Sequence, residues 1–357
     1  MTALERFQEA LRAAKAEAAI ISSEINQRYL SDFKFSDGYI LVTPDDAFLL
    51  TDSRYIEAAR KACPDFSVIL SVGGMLDTLK RLIADKGFSE VAVEEASLSC
   101  ADLKRFFESF SGVEIKFGVS EILKELRAVK SKKELSRIEE AQKITDAAFS
   151  HILNYINRQR TERDVALELE FFMRKNGAEG VAFETIAVSG SSSSLPHGVP
   201  SDTPLREGFL TMDFGAMVDG YCSDMTRTVV IGKADEEIKL IYDTVLTAQL
   251  TALGMIKGGV LCREADEAAR SVIRRAGFAE NFGHSLGHGV GMFIHEFPNL
   301  SPRADSSSCL KAGNVVTVEP GIYIEGKYGC RIEDMIAIQE DGSVLNFTKS
   351  DKKLVEV

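Results

Sequence analysis

The chain has 357 residues, of which 45% are hydrophobic, and its formal net charge at pH 7 is −12. This length exceeds what one hydrophobic core ordinarily fills, so two domains are expected. The acidic balance argues against a nucleic-acid-binding protein, which would present a basic surface. No run of about 18 apolar residues exists, which argues against a membrane-spanning helix.

The cysteines point to a reducing compartment. All six are scattered along the chain, without a Cys-x-x-Cys pair, so neither a zinc finger nor a disulfide framework is predicted. Residues 1–7 include an acidic side chain and no apolar run, which favours an amphipathic helix over a signal peptide. A cytoplasmic protein is therefore expected.

The first part of the chain alternates short apolar runs with helical periodicity. Strands are predicted at residues 18–21, 39–42, 48–50, 68–70, 91–93 and 113–115, and helices at 54–62, 76–84 and 101–110. This alternation predicts an α/β domain over residues 1–125. Residues 120–130 carry many charges and are interpreted as a connector.

The second part, residues 126–357, begins with a helix signal. Ser131 and Glu134 have the spacing of a capping box, so a long helix is predicted up to about residue 157. Further helices are predicted at about 161–176, 236–256 and 263–276, and strands at 181–188, 209–216, 221–231, 315–319, 321–324 and 332–338. Strands, two helices and strands again indicate an α+β domain.

Four carboxylates of the second domain stand out. Asp213 lies inside an apolar run, where an unpaired charge would be costly. Asp224 follows on the other strand of a predicted hairpin, which brings the two carboxylates near one site. Glu319 and Glu333 come from the last strands. Taken singly, each could be solvated, cap a turn or form a salt bridge.

Four of the five histidines fall in two short motifs. His197 follows Leu195-Pro196, and His284, His288 and His295 lie within residues 283–295. Glycines surround His288, so a glycine-rich loop that approaches a site closely is predicted there. Histidine and carboxylate ligands in this number are what a carboxylate-bridged pair of divalent ions needs, which indicates metal-assisted hydrolysis.

Together, the motifs resemble those of the pita-bread metallopeptidases, and most closely those of aminopeptidase P and prolidase. The match spans about residues 180–340. It rests on Leu195-Pro196-His197, Asp213-Phe214-Gly215, Tyr221-Cys222-Ser223-Asp224-Met225-Thr226-Arg227-Thr228, Gly287-His288-Gly289-Val290-Gly291, Val318-Glu319-Pro320-Gly321-Ile322-Tyr323 and Arg331-Ile332-Glu333-Asp334. The first domain is similar in length and pattern to the creatinase-type N-terminal domain.

The resemblance implies a site and its residues. The implied metal ligands are Asp213, Asp224, His288, Glu319 and Glu333, with Asp224 and Glu333 bridging two divalent ions, Mn first and Co or Zn as alternatives. Catalytic and substrate-binding positions fall on His197, His284, His295, Glu319 and Arg331, and Phe183 falls near the substrate pocket. Creatinase shares the fold and lacks the metal site, whereas this chain keeps all five ligands.

The implied reaction is hydrolysis of the bond between an N-terminal residue and a following proline. Peptides with proline in second position are the expected partners, and the resemblance also implies a homodimer. Aminopeptidase P and prolidase both remain open here. A non-catalytic binding protein on the same fold and a metallo-aminopeptidase of another specificity are the alternatives. A binding protein typically loses ligands, and the large first domain and His284 count against methionine aminopeptidase.

Overall fold

The computed structural model describes residues 1–357, which divide into two units, Met1–Arg127 and Ala128–Val357. The sequence-based boundary at residue 125 lies two residues before this division. None of the helices is both long and apolar enough to cross a membrane.

The first unit is built on a six-stranded mixed sheet. The strands are β1 (Ala19–Ile21), β2 (Tyr39–Val42), β3 (Ala47–Thr51), β4 (Ser67–Leu70), β5 (Glu90–Val93) and β6 (Glu114–Lys116), in the order β4-β3-β2-β1-β5-β6. The helices are α1 (Ala3–Ala14), α2 (Glu24–Ser31), α3 (Ile56–Ala62), α4 (Met75–Lys86), α5 (Cys100–Ser109) and α6 (Val119–Ala128). The predicted α/β architecture is confirmed.

Helix α6 corrects the prediction of a connector at residues 120–130. Charged residues such as Glu121, Lys124 and Arg127 dominate its composition, but Val119 and Leu123 are buried and lie four residues apart. That spacing places both side chains on one face of a helix. Helix α2 was likewise not predicted from the sequence.

The second unit contains four α-helices and thirteen strands. The helices are α7 (Lys132–Ile152), α8 (Glu162–Lys175), α9 (Glu236–Met255) and α10 (Cys262–Arg275). The strands are β7 (Gly180–Val181), β8 (Ile186–Ser189), β9 (Gly208–Phe214), β10 (Ala216–Val218), β11 (Tyr221–Cys222), β12 (Met225–Ile231), β13 (Gly287–Gly289), β14 (Glu296–Leu300), β15 (Val315–Val318), β16 (Gly321–Ile324), β17 (Tyr328–Arg331), β18 (Asp334–Ile338) and β19 (Val344–Asn346).

Two helix pairs cover two sheets of this unit. Buried side chains of α7 and α8 pack with Leu210, Met212 and Phe214 of β9. Buried side chains of α9 and α10 pack with β15 and β18 of the five-stranded sheet, whose order is β14-β13-β15-β18-β19. Successive side chains of a strand point to opposite faces. Asp213 therefore points away from the α7 and α8 core and towards the interior between the sheets.

Three sequence-based predictions of secondary structure in this unit are wrong. The long helix ends at Ile152 rather than near residue 157. The strand predicted over residues 181–188 is two short strands, β7 and β8, with an irregular segment between them. The glycine-rich segment around His288 is strand β13 rather than a loop.

Candidate metal centre

Asp213 and Asp224 come from the two long strands β9 and β12. Asp213 is paired in register with Thr226 of β12, and Asp224 directly precedes that strand. Asp213 Oδ2 accepts a hydrogen bond from Arg331 at 2.6 Å, while its buried Oδ1 has no hydrogen-bond partner. The hairpin thus delivers two carboxylates, one of them with an unsatisfied oxygen, to the same face.

His288 is placed by close contact between β13 and β15. A side chain at Gly287 would collide with the backbone carbonyl of Thr317, so only glycine permits this approach. The His288 Nδ1 atom lies 3.1 Å from the Gly289 carbonyl oxygen. A carbonyl can only accept, so Nδ1 carries the proton and Nε2 presents a lone pair. Nε2 lies 3.5 Å from Asp224 Oδ2 and 3.4 Å from Glu319 Oε1.

Glu319 and Glu333 complete the carboxylate cluster. Glu319 follows β15 and accepts from Thr317 Oγ1 at 3.3 Å. Glu333 lies between β17 and β18, and its Oε2 accepts from Thr226 Oγ1 at 2.7 Å. Ligand atoms of Asp224, His288 and Glu333 all lie within 4.8 Å of one another. All five residues implied as ligands line one cleft of about 580 Å³.

The electrostatics of this cluster fit a divalent cation. Burial raises the pKa of Asp224 and of Glu333 well above the usual range, and the neighbouring carboxylates raise both further. Burial raises the pKa of Glu319 to about 8, and burial lowers the pKa of His288 to about 4. Like charges held together out of water need a positive counterpart. The donor set and the orphaned Asp213 oxygen therefore suit metal ions.

Arg331 is the cation of the cluster, and it belongs to a hydrogen-bonded chain. Its guanidinium donates to Asp213, to Thr226 Oγ1 at 2.9 Å and to Tyr323 OH at 2.6 Å. Burial by itself would lower the pKa of Arg331, but the acidic groups around it raise that pKa. Tyr323 OH lies 3.1 Å from His284 Nε2. The chain therefore runs from Asp213 through Arg331 and Tyr323 to His284.

His284 is held as a neutral imidazole at the cleft wall. Its Nδ1 lies 2.8 Å from the Ser285 carbonyl, so Nδ1 donates and Nε2 accepts. Burial and then Arg331 lower its pKa to about 4. Arg270 Nη2 donates to the His284 carbonyl at 2.7 Å and pairs with Asp266 on α10. His284 is thereby fixed from both its backbone and its ring.

The remaining residues implied by the resemblance also line the cleft. His197, His295 and Phe183 are among its lining residues, and the His295 and His288 rings lie 4.4 Å apart between centroids. His151 and Asp334 make other contacts: His151 stacks on Phe172, and Asp334 pairs with Arg227.

Several contacting residues were given no role from the sequence. Thr226, Thr317 and Tyr323 each bond a candidate ligand or Arg331, and all three lie inside or beside the quoted motifs. Their adjacency to those motifs was the available signal. Asn299 and Arg303 also line the cleft, and nothing in their local sequence indicated it.

Comparison with known protein families identifies the family of this chain. Residues 136–340 match the family model described as metallopeptidase family M24, and residues 4–129 match the Creatinase/Prolidase N-terminal domain. The chain belongs to metallopeptidase family M24. The M24 catalytic domain has the pita-bread fold, preceded by a creatinase-type N-terminal domain, as the sequence motifs predicted. The chain is therefore a metal-dependent peptidase, and the expected divalent metal requirement is confirmed.

Individual M24 relatives match over nearly the whole chain. The Xaa-Pro dipeptidase of Pyrococcus furiosus is 36% identical over 354 residues, which cover 99% of both proteins. The solved structure of an Xaa-Pro dipeptidase from Bacillus anthracis has a TM-score of 0.95 at 38% identity and covers 99% of both chains. That of an X-Pro aminopeptidase from Thermotoga maritima has a TM-score of 0.91 at 38% identity, covering 98% of this chain and 100% of that one.

Proposed function

We propose that this M24 member is a dinuclear Xaa-Pro peptidase, which hydrolyses the bond between an N-terminal residue and a following proline. The observation that carries the proposal is the buried cluster of four carboxylates and one neutral histidine in a substrate-sized cleft. The relatives described above, named as Xaa-Pro dipeptidases and an X-Pro aminopeptidase, support the substrate class.

The five ligands proposed are Asp213, Asp224, His288, Glu319 and Glu333. Asp224 and Glu333 fall on the positions that the resemblance implies hold both ions, and burial, then the neighbouring carboxylates, raises the pKa of each. Oxygen donors dominate the set, which favours Mn, with Co and Zn as alternatives. When bound, such ions supply Lewis acidity and lower the pKa of a coordinated water.

The protein's own groups would carry the protons and hold the substrate. Glu319 Oε1, oriented by Thr317 Oγ1, takes a proton from the attacking water and passes it to the leaving proline nitrogen. Water oxygen thus bonds to the carbonyl carbon, and the carbon–nitrogen bond breaks. His295 or His197 donates a hydrogen bond to the developing oxyanion.

Selectivity for proline would come from shape. The scissile amide before proline has no N–H, so no hydrogen-bond acceptor can recognise it there. Phe183 on the cleft wall offers an apolar surface for the ring. His284 and Arg331, which share Tyr323, hold the rest of the substrate.

The proposal also covers the cellular location and the oligomeric state of the protein. All six cysteines are free in the structure, which supports a reducing, cytoplasmic environment. A homodimer is proposed from the resemblance to enzymes that share this N-terminal domain.

The decisive experiment is hydrolysis of Ala-Pro and Ala-Pro-Pro by chelator-treated protein, with and without added Mn²⁺. Metal-dependent cleavage of Ala-Pro alone assigns a dipeptidase, and cleavage of Ala-Pro-Pro assigns an aminopeptidase. Ala-Ala serves as the matched substrate without proline. Failure to cleave either proline peptide with metal shown to be bound would refute the Xaa-Pro specificity.

A further inference from the structure

A buried ion pair lies behind the cleft without lining it. Lys130 Nζ and Glu296 Oε2 are 3.0 Å apart, and their side chains are 0% and 3% exposed. Neither residue belongs to the cleft wall. Two charges removed from water are costly even when paired.

Glu296 organises the turn that carries His295. Its Oε1 accepts from the Phe293 backbone N–H at 3.2 Å, which closes the turn on itself. A side chain at Gly291 would collide with the Glu296 carboxylate and crowd Lys130 Cε. The turn from residue 291 to 296 is therefore folded tightly around this one carboxylate.

Adjacent residues of the strand face opposite ways. Glu296, Pro298 and Leu300 of β14 are buried, whereas His295 and Asn299 are exposed and line the cleft. A one-residue slip would exchange the two faces. Because Lys130 holds Glu296 on the buried face, His295 is directed towards the cleft. The centroid of its ring lies 4.4 Å from that of the His288 ring.

Lys130 is itself anchored independently of that turn. Its backbone N–H donates to the Gly313 carbonyl at 2.8 Å, and Asn314 Nδ2 donates to the Ala128 carbonyl at 2.9 Å. The Lys130 ammonium thus projects from a fixed backbone into the turn. The turn is also tied to β11, because Cys222 N–H donates to the Gly291 carbonyl at 2.8 Å.

We propose that Lys130 and Glu296 are positioning residues that aim His295 at the reacting carbonyl. This inference rests on the proposed function, because it takes His295 as an oxyanion donor. It assigns the pair no contact with substrate or metal. Loss of the pair lets the turn move, so the rate falls while the five proposed metal ligands stay in place.

The test is a double-mutant cycle of Lys130→Met and His295→Ala, assayed on Ala-Pro with Mn²⁺ present. Lys130→Met should lower kcat by ~10–100-fold, the scale of a displacement of about 1 Å, with KM changed less than twofold and metal content unchanged. In the His295→Ala background the same substitution should change kcat less than twofold, because the histidine it aims is absent. Equal losses in both backgrounds would overturn the proposal.

Further variants separate positioning from misfolding. Glu296→Gln keeps an oxygen acceptor for Phe293 N–H and removes the charge, and the double variant Lys130→Met with Glu296→Gln leaves no unpaired charge buried. Both should fold and lose kcat. Lys143→Met, which removes an exposed ion pair with Glu139 on α7, is the matched control and should retain full activity.

Amide hydrogen exchange gives a readout independent of turnover. Exchange over residues 291–296 should accelerate in Lys130→Met and Glu296→Gln and stay unchanged in Lys143→Met. Unaltered exchange would overturn the proposal whatever the activity. Absence of Xaa-Pro cleavage by the wild-type protein would instead refute the proposed function, so the two failures are distinguishable.

Discussion

Thr226→Val should weaken metal binding without changing the shape of the site. The Thr226 hydroxyl is fully buried, donates to Glu333 Oε2 at 2.7 Å and accepts from Arg331 Nε at 2.9 Å. Valine has nearly the same volume and cannot form either bond. The substitution therefore leaves a carboxylate oxygen and a guanidinium N–H each short of one partner.

The size of the effect follows from those two bonds. A hydrogen bond to a charged group contributes about 1.5–3 kcal/mol, and part of the loss is recovered by relaxation and water. A net loss of about 2 kcal/mol corresponds to roughly 30-fold weaker metal affinity, at about 1.4 kcal/mol per factor of ten. This lies within the ~10–100-fold range for residues that orient metal ligands.

Competition with a chelator measures the affinity, and kcat/KM on Ala-Pro at saturating Mn²⁺ measures the remaining activity. Thr226→Ser keeps the hydroxyl and should restore binding. Thr211→Val is the matched control, because Thr211 is buried on the same strand face as Asp213 but bonds Thr228 and the Gly329 carbonyl. Equal affinity for Thr226→Val and wild type would refute the reasoning.

Two further predictions follow from the same unit. His288→Ala should lose bound metal and activity together, because Nε2 is the one nitrogen donor of the set, whereas His284→Ala and His295→Ala should keep metal and lose rate; metal analysis with kinetics measures this. Asp334→Asn should lower the free energy of unfolding by about 3–5 kcal/mol, because it leaves Arg227, 1% exposed, buried without its carboxylate; urea denaturation measures this.

Each of these predictions has a clear contrary outcome. A His288→Ala protein with full metal content would remove His288 from the ligand set. For the buried pair, Asp351→Asn is the control, since Asp351 has an exposed side chain near Lys353 and its loss should cost less than about 1 kcal/mol. Similar destabilisation by Asp334→Asn and Asp351→Asn would show that burial of the Arg227 pair is unimportant.

Local patterns predicted most of the elements of the fold and failed where tertiary contacts decide. Ser131 and Glu134 identified the start of α7, and the structure contains that capping box. Helix α6 was missed because its many charged residues obscure the buried apolar positions Val119, Leu123 and Ala128. Strand β13 was missed because glycine is a poor strand former. The close approach of Thr317 to Gly287, and of the Glu296 and Phe297 carbonyls to Gly289, explains glycine at both positions.

The candidate ligands could be named from the sequence because their motifs are specific. The residues that hydrogen-bond to those ligands could not be named in this way. Thr226 and Tyr323 are ordinary residues until their partners are seen. Lys130 and Glu296 lie 166 residues apart. Nothing in the sequence around either residue indicates that the two side chains form an ion pair. Long-range pairing of this kind depends on the folded chain.

The proposed ligand positions come from two stretches of chain that α9 and α10 separate. Asp213 and Asp224 precede these helices, and His288, Glu319 and Glu333 follow them. A bound ion therefore ties the two stretches together, and separating them means giving up the ion. By mass action, ions at a hundred times Kd add about 2.7 kcal/mol to folding. Chelating buffers should therefore shorten the storage life of the enzyme as well as remove its activity.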